Sequence, residues 1–366
     1  MSLQKYLRGR SAANLAEGFE AAIRDGALRP GALLPTVRAL ASELGVSPTT
    51  VASAYRGLQR RGLLVAEGRR GTRVSLAPPL PVLAEPMRAA GVRDLASGNP
   101  DPALLPRLGP FLARLARRAG APHLYDDPPH PAPLLALARE RFLAEELRCD
   151  ALSVVSGALD GIERVLLARL RPGDRVAVED PGWGGVLHLV RALGMSLLPV
   201  SLDDEGPLPA ALEAALARGA AAFVLTPRAQ NPTGAALSAA RARELRRVLR
   251  GHPSLLVIED DHVFEVSGAP ARSVVAKETE HFAIVRSVSK GLGPDLRLAI
   301  LAGDAETVAR VEGRLQLGQR WASHVLQQLV ALLWIDPGTA RLLRRAEVTY
   351  TERRRAALRR GRARRS

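Results

Sequence analysis

Between Ser153 and Leu301, short apolar runs alternate with stretches of amphipathic helical periodicity. The apolar runs lie at 154–155, 176–178, 221–225, 255–258, 282–285 and 298–301. Each is short enough to be a strand, and their continuous apolar character indicates burial. Strands that alternate with helices are typical of a doubly wound sheet with helices on both faces. This part of the chain is therefore predicted to be an α/β domain.

A chain of 366 residues is long enough to predict at least two domains. Charge is distributed unevenly along it. Residues 1–76 carry 12 basic and five acidic side chains, and residues 341–366 carry 11 basic and two acidic ones. The long middle of the chain is close to neutral. A small basic module joined to a larger neutral one suggests a nucleic-acid reader attached to a domain of another kind.

Other classes of protein are disfavoured by the composition. Cys149 is the only cysteine, so an internal disulfide is excluded. The N-terminus has no apolar signal-peptide core, and no uninterrupted apolar run approaches the length of a membrane span. We therefore expect a cytoplasmic protein without a membrane segment, and we predict no metal site.

The basic N-terminal module, residues 1–76, is predicted to be a winged helix-turn-helix. Its expected elements are helices at 14–25, 37–44 and 48–61, followed by strands at 63–65 and 72–74. Thr36 and Ser47 are suited to cap the second and third helices, and Gly45 ends the second. Two helices joined by a short glycine-containing turn lay the second of them in a major groove. The alternative is a small helical domain with a solvated basic face.

The same residues resemble the GntR family of bacterial transcription factors. The resemblance rests on Leu34-Pro35-Thr36-Val37-Arg38-Ala39-Leu40, Gly45-Val46-Ser47-Pro48-Thr49-Thr50-Val51 and Gly71-Thr72. It implies contacts to double-stranded operator DNA from Arg38, Ser47, Thr49, Thr50, Arg69, Arg70 and Thr72. Pro48 and Ala52 stand where relatives often hold arginine, which implies fewer base contacts from the third helix.

A linker is predicted at 77–94, where prolines and mixed charge show no periodic core pattern. The large domain is predicted at 95–366.

Within the large domain, Lys290 is conspicuous because only three of the 52 basic residues are lysines. Arginine can replace lysine as a charge, but it cannot lose its proton and attack an aldehyde. Nearby Arg297 offers a planar fork suited to a phosphate, and Ser287 and Ser289 offer hydroxyls. The alternative is a surface lysine on a loop.

The segment Ser287-Val288-Ser289-Lys290, with Pro294 and Leu296-Arg297, resembles the lysine segment of fold-type I pyridoxal 5′-phosphate (PLP) enzymes. Gly98-Asn99-Pro100-Asp101-Pro102 and Tyr125-Asp126-Asp127-Pro128 resemble motifs of the MocR branch of GntR regulators, in which an aminotransferase-like domain follows the winged helix. The resemblance implies a three-layer α/β fold, PLP as cofactor and a homodimer. Thr226-Pro227-Arg228-Ala229-Gln230-Asn231 places the likeness near the branch tied to vitamin B6 salvage.

The resemblance also implies a role for each cofactor residue, with Lys290 holding PLP as an internal aldimine. Ser156, Gly157, Ala158, Ser287, Ser289 and Arg297 would hold the phosphate, and Tyr125 would reach the phosphate of the partner subunit. Asp260 would keep the ring nitrogen protonated. Trp183 would stack on the ring, while Asn231 and His262 would face its phenolic oxygen.

The C-terminal end departs from this family. Relatives continue from a long helix, here 338–360, into a small domain whose arginine grips a substrate carboxylate, so we expect that domain to be truncated. The tail arginines are expected to be spread over the helix surface without a scaffold that fixes one of them. We therefore predict a PLP-responsive transcriptional regulator with an amino-acid or B6-vitamer effector. The alternatives are an aminotransferase with an added DNA-binding module, or a degenerate DNA-binding protein without PLP.

Overall fold

The computed structural model of the chain describes residues 5–7, 9–24, 27–60, 62–66, 68–75, 97–118 and 122–363. The linker predicted at 77–94 lies outside these residues, so the predicted domain boundaries stay predictions. Within the described ranges, no helix combines the length and the apolar character that crossing a bilayer requires.

The N-terminal module contains three helices and a hairpin. Its elements are α1 (Ala12–Arg24), α2 (Val37–Leu44), α3 (Pro48–Arg60), β1 (Leu64–Ala66) and β2 (Thr72–Val74). Leu15, Phe19 and Leu58 are fully buried between the helices. The ring of Tyr55 packs edge-on against Phe19, and its hydroxyl donates a hydrogen bond to the carbonyl of Pro35 at 2.9 Å. These contacts fix α3 against the turn that precedes α2.

The predicted caps are confirmed. The Thr36 hydroxyl accepts a hydrogen bond from the Ala39 backbone N–H at 3.2 Å, and the Ser47 hydroxyl accepts one from the Thr50 N–H at 3.1 Å. Gly45 ends α2 with a left-handed φ of 63°, a conformation that glycine adopts without steric penalty. Local side-chain chemistry therefore sets the helix-turn-helix boundaries.

The large domain alternates helices and strands. Its helices are α4 (Gly109–Arg118), α5 (Ala132–Ala144), α6 (Ala158–Arg169), α7 (Gly184–Ala192), α8 (Pro209–Ala217), α9 (Ala239–Arg250), α10 (Ala305–Gln316), α11 (His324–Trp334) and α12 (Pro337–Ala363). Its strands are β3 (Ala151–Val155), β4 (Arg175–Asp180), β5 (Ser196–Asp203), β6 (Gly206–Pro207), β7 (Ala222–Leu225), β8 (Leu256–Asp260), β9 (His281–Ser287) and β10 (Ala299–Gly303). Within the described residues the strands form one sheet in the order β3-β10-β9-β8-β7-β4-β5-β6.

Strand direction brings the predicted site residues to one edge of this sheet. β4, β7, β8 and β9 run parallel, and β10 runs antiparallel to both β9 and β3. The carboxyl ends of β3, β4, β7, β8 and β9 therefore meet at the edge where β10 begins. In open α/β sheets, ligands bind beyond the carboxyl ends of the strands.

Both faces of the central strands are buried, as the continuous apolar runs indicate. Val155 and Val285 face α6, where a Cβ on Gly161 would lie 3.0 Å from the Val155 side chain. Phe282 of β9 belongs to the core cluster that Phe142 of α5 also joins. The predicted three-layer α/β fold is confirmed.

Candidate functional site

Lys290 lines a cavity of about 570 Å³ at the carboxyl edge of the sheet. Its ammonium group donates a hydrogen bond to the carbonyl oxygen of Gly98. Burial lowers the pKa of Lys290, and the negative charge of Asp260 acts in the opposite direction. A lowered pKa increases the fraction of unprotonated amine near neutral pH, which is the nucleophilic form.

Asp260 ends β8 and is 2% exposed. Its Oδ2 atom lies 3.9 Å from Nδ1 of His262, whereas its Oδ1 atom has no hydrogen-bond partner among the described residues. Burial raises the pKa of this carboxyl group, opposed by the nearby His262 and Lys290. A buried acceptor without a partner requires an explanation, and a protonated ring nitrogen would supply the missing donor.

The start of α6 forms a cradle for an anion. Gly157 is its N-cap, with φ of 103° and no side-chain capping bond, so the free N–H groups of the first turn point outward. A Cβ at Gly157 would lie 2.9 Å from the guanidinium Nη2 of Arg297. The Ser156 hydroxyl lies beside them and hydrogen-bonds Gln319. This donor set, together with Asp260 and Lys290, fits PLP.

Gly157 gives a first test of the cradle. We expect Gly157→Ala to weaken PLP binding at least tenfold, because the methyl group enters the space beside Arg297 and the backbone is left-handed. The measurement is a fluorescence titration of the apo chain with PLP. Gly313→Ala is the matched control, since a Cβ there meets open space on a helix. Equal PLP affinities for the two variants would contradict the assignment.

The other predicted cofactor residues are distributed around the same edge. Asn231 and His262 line the Lys290 cavity. Trp183 follows β4 and is 37% exposed. The Ser287 hydroxyl donates to the Ser289 hydroxyl at 3.0 Å. These positions are compatible with their predicted roles, which stay predictions.

Tyr125 does not line the Lys290 cavity. It is 77% exposed, and its ring lies 5.9 Å from that of Trp321 and 4.8 Å from the Arg320 guanidinium carbon. An exposed aromatic ring is available to a second subunit. The predicted contact with a partner's phosphate stays a prediction.

Sequence reasoning did not identify Gln230, which joins two of the site loops. Its amide nitrogen donates to the Pro181 carbonyl at 2.8 Å and to Glu179 at 3.3 Å, and its amide oxygen accepts from the Thr233 hydroxyl at 2.6 Å. The loop that carries Trp183 is thereby linked to the turn that carries Asn231. The available signal was the position of this glutamine, directly before the predicted cofactor residue Asn231.

Burial raises the pKa of Glu179 to about 8, an effect that hydrogen bonds from Thr226 and Gln230 oppose. The folded chain therefore binds a proton that the unfolded chain releases near the usual glutamate pKa. We expect this group to make the large domain less stable as the pH rises from about 5 to about 9, because ionisation inside the fold is disfavoured. The check is urea unfolding across this range. Glu179→Gln should flatten the pH dependence, and an unchanged slope would contradict the assignment.

A buried ionic cluster, formed by Arg228, Asp261, Arg286 and Glu145, lies behind the site. Arg228 donates two hydrogen bonds of 2.7 Å to Asp261, and Arg286 donates one of 3.0 Å to the same carboxylate. Both arginines also contact Glu145. Arg228, Asp261 and Arg286 are each at most 2% exposed. The cluster ties together the carboxyl ends of β7, β8 and β9, at or just beyond which Asn231, Asp260 and Lys290 lie.

The expectation that no scaffold fixes a tail arginine is wrong. Arg354 and Arg355 of α12 line the Lys290 cavity. The Arg354 guanidinium donates a hydrogen bond of 3.2 Å to the carbonyl of Gly234. Helical spacing alone does not reveal this position, because it depends on how α12 packs on the domain.

The N-terminal module presents the predicted DNA-contacting side chains at its surface. Those of Arg38, Ser47, Thr49 and Arg70 are exposed, and those of Thr50 and Thr72 are half-buried. The Ser47 and Thr50 hydroxyls lie 2.8 Å apart and bond each other at the start of α3. The side chain of Arg69 lies outside the described part of the chain. Arg38 and Arg70 therefore place positive charge at the surface of the module.

Two family models match the chain. That of bacterial regulatory proteins of the gntR family matches residues 12–74, and that of class I and II aminotransferases matches residues 91–362. The second match spans most of the chain and includes all the cofactor residues discussed above.

The chain is similar to transcriptional regulators and, in its large domain, to an aminotransferase of known structure. The chain is 44% identical to the vitamin B6 salvage pathway transcriptional repressor PtsJ of Salmonella typhimurium, over 94% of this chain and 80% of the relative. It is 30% identical to the HTH-type transcriptional regulator TauR of Rhodobacter capsulatus, over 91% and 75%. Among solved structures, α-aminoadipate aminotransferase LysN of Thermus thermophilus, complexed with N-(5′-phosphopyridoxyl)-L-leucine, is similar with a TM-score of 0.64 and 28% identity, covering 72% of this chain and 69% of LysN.

Proposed function

Because this chain belongs to the MocR-type GntR regulators, in which a winged helix precedes a class I and II aminotransferase domain, we propose that it is a DNA-binding transcriptional regulator whose response depends on PLP. The observation that carries the PLP part is Asp260. Its buried Oδ1 atom has no partner among the described residues, next to a cavity lined by Lys290. A cationic ring nitrogen would satisfy that atom.

Different residues of the site would bind different parts of the cofactor. The start of α6 and Arg297 would hold the phosphate, and Asp260 would pair with the ring nitrogen. Lys290 would bond covalently to the aldehyde carbon with loss of water. When bound, PLP supplies an electrophilic carbon conjugated to an electron-withdrawing ring. The buried ionic cluster and Gln230 would keep these groups in position relative to one another.

The similarity to a vitamin B6 salvage repressor supports a specific role. We propose that the regulated genes serve B6 supply and that PLP itself reports the state of that supply. The chain would act as a homodimer on an operator of double-stranded DNA.

The test is a selection of binding sites from random double-stranded DNA, followed by affinity measurements with and without PLP. We expect an enriched sequence and an at least fivefold change in affinity on PLP addition. Lys290→Ala should retain DNA binding and lose the response. Failure to enrich any sequence, or a PLP response that survives in the variant, would contradict the proposal.

DNA binding should depend on salt through the exposed arginines. We expect Arg38→Ala and Arg70→Ala each to reduce the slope of log affinity against log salt by about one. The reason is that each phosphate contact releases about one counterion from the DNA, and this release is lost with the contact. Anisotropy titrations of the full chain at several salt concentrations measure this slope. Arg250→Ala, an equal charge change on an exposed part of α9, is the control. Slopes shared by all three variants would reject Arg38 and Arg70 as phosphate contacts.

A further inference from the structure

Residues 98–100, which we call the strap, form part of the wall of the Lys290 cavity. The strap contacts the lysine itself. The Lys290 ammonium group donates a hydrogen bond to the Gly98 carbonyl oxygen, and a Cβ on Gly98 would lie 3.6 Å from the Lys290 Nζ atom. Gly98 and Asn99 are exposed, so the burial of apolar surface contributes little to their position. Their position therefore depends on the bond from Lys290.

Helix α12 fixes the chain just beyond the strap. The Asp101 backbone N–H donates a hydrogen bond of 2.8 Å to the Tyr350 hydroxyl, and the Asp101 carboxylate pairs with Arg353 at 2.7 Å. Leu104, three residues further on, is 4% exposed. One end of the strap is thus anchored independently of Lys290. The other end begins four residues after the predicted linker, 77–94.

Bond formation at Lys290 removes the donor that holds Gly98. The ammonium group has three N–H bonds and can turn any of them towards the carbonyl oxygen. When the nitrogen bonds to an aldehyde carbon, two of its protons leave with the aldehyde oxygen as water and one remains. That proton lies in the plane of the new carbon–nitrogen double bond, so the nitrogen can no longer rotate to keep its carbonyl partner. The two states of Lys290 therefore differ in their contact with Gly98, and such a difference is what allows a ligand to shift an equilibrium.

We propose that the Lys290–Gly98 hydrogen bond is a latch, which holds the strap on the cavity while the lysine is free and releases it when the lysine bonds to PLP. The inference deepens the proposed function and rests on it. Release would free the end of the strap that is nearer to the linker in the sequence, whereas the end at Asp101 would stay on α12. The segment that joins the two domains would in this way respond to the covalent state of Lys290.

Electron paramagnetic resonance of a nitroxide label beside the strap tests the latch. The label is attached to Ser97→Cys in a Cys149→Ser background, since Cys149 is the one cysteine of the chain. We expect PLP to shorten the rotational correlation time of the label about threefold, because a loop that is released moves faster on the nanosecond timescale. The analogue 4-deoxypyridoxine 5′-phosphate, which has the phosphate and the ring but no aldehyde, should cause no change. The matched control is a label on Gly313→Cys, an exposed position of α10, which should not respond to either ligand.

Two substitutions of Lys290 separate the hydrogen bond from the covalent bond. Lys290→Met has no donor, so the label at position 97 should be mobile without ligand and should not respond to PLP. Lys290→Arg keeps a cationic donor but cannot bond to an aldehyde, so the label should stay restrained with and without PLP. The label at position 313 should have the same mobility in both variants as in the unaltered chain, which checks that the large domain is folded.

Three outcomes would overturn the inference. The first is a label at position 97 whose mobility is unchanged when the adduct forms, and the second is a label that is as restrained in Lys290→Met as in the unaltered chain. The third is release by the analogue as large as release by PLP, because occupancy of the cavity would then be the cause. Borohydride trapping in the same samples distinguishes the two proposals. An adduct on Lys290 without release refutes the latch alone, whereas the absence of any adduct refutes the PLP part of the proposed function and the latch with it.

Discussion

Substitution of Lys290 by alanine is expected to abolish the covalent PLP adduct. Borohydride reduces the carbon–nitrogen double bond between an amine and the aldehyde to a stable secondary amine, so the adduct is trapped on the residue that carries it. The structure favours Lys290 because its amine lines the cavity and burial lowers its pKa. We expect complete loss of the trapped adduct, measured by mass spectrometry of the digested protein.

Two controls separate chemistry from charge. Lys290→Arg keeps a cation but has no amine that can attack, so it should also give no adduct. Lys277→Ala removes a lysine that does not line the cavity and should give the normal yield. An adduct that remains in Lys290→Ala, on Lys277 or on Lys5, would show that the assignment is wrong.

The pH dependence of adduct formation is expected to shift in a defined direction. Only the unprotonated amine attacks, so the rate should rise with pH and reach half its maximum below the ordinary lysine pKa of 10.5. The charge of Asp260 raises the pKa of Lys290. Asp260→Asn should therefore shift the half-maximum to still lower pH. A shift to higher pH would contradict the electrostatic account.

Asp261→Ala should have the largest effect on stability. It would leave Arg228 and Arg286, each at most 2% exposed, with only the partly exposed Glu145 for compensation. Removing one partner of a buried ion pair costs about 3–5 kcal/mol, because the remaining charge stays buried and unpaired. Urea unfolding measures this loss, and tryptophan fluorescence reports it because Trp183, Trp321 and Trp334 all lie in the large domain.

The matched control is Asp203→Ala. Asp203 also accepts two hydrogen bonds from one arginine, Arg241, but its own side chain is 47% exposed. Water can replace this partner, so we expect a loss of about 1 kcal/mol or less. Equal losses for the two aspartates would refute the claim that burial makes the ionic cluster important. A second check is PLP affinity, which should fall in Asp261→Ala because the cluster holds the strand ends that carry Asn231, Asp260 and Lys290.

Local pattern was enough to predict most of the elements and their ends. The caps at Thr36 and Ser47 depend on a hydroxyl and an N–H three residues away, and the structure contains both bonds. The apolar runs predicted six of the eight strands described for the large sheet, because side chains of a strand buried on both faces are nearly all apolar. They missed β5 and β6, where polar and apolar residues are mixed. The resemblance of the Lys290 segment to the lysine segment of fold-type I PLP enzymes indicated the aminotransferase-like fold, which the family match bears out.

What the sequence by itself determined, then, was the kind and order of elements and the residues at the carboxyl ends of the strands. Only the tertiary structure decided which distant charges meet. Arg286 and Glu145 are 141 positions apart, and Arg354 reaches the carbonyl of Gly234 across 120. Periodicity shows which face of one helix or strand is buried, but not what it packs against. An arginine that is buried and paired with a carboxylate therefore looks the same in the sequence as an arginine in solvent. The energy of such a charge depends on the partner and the exclusion of water, and both are properties of the packed chain.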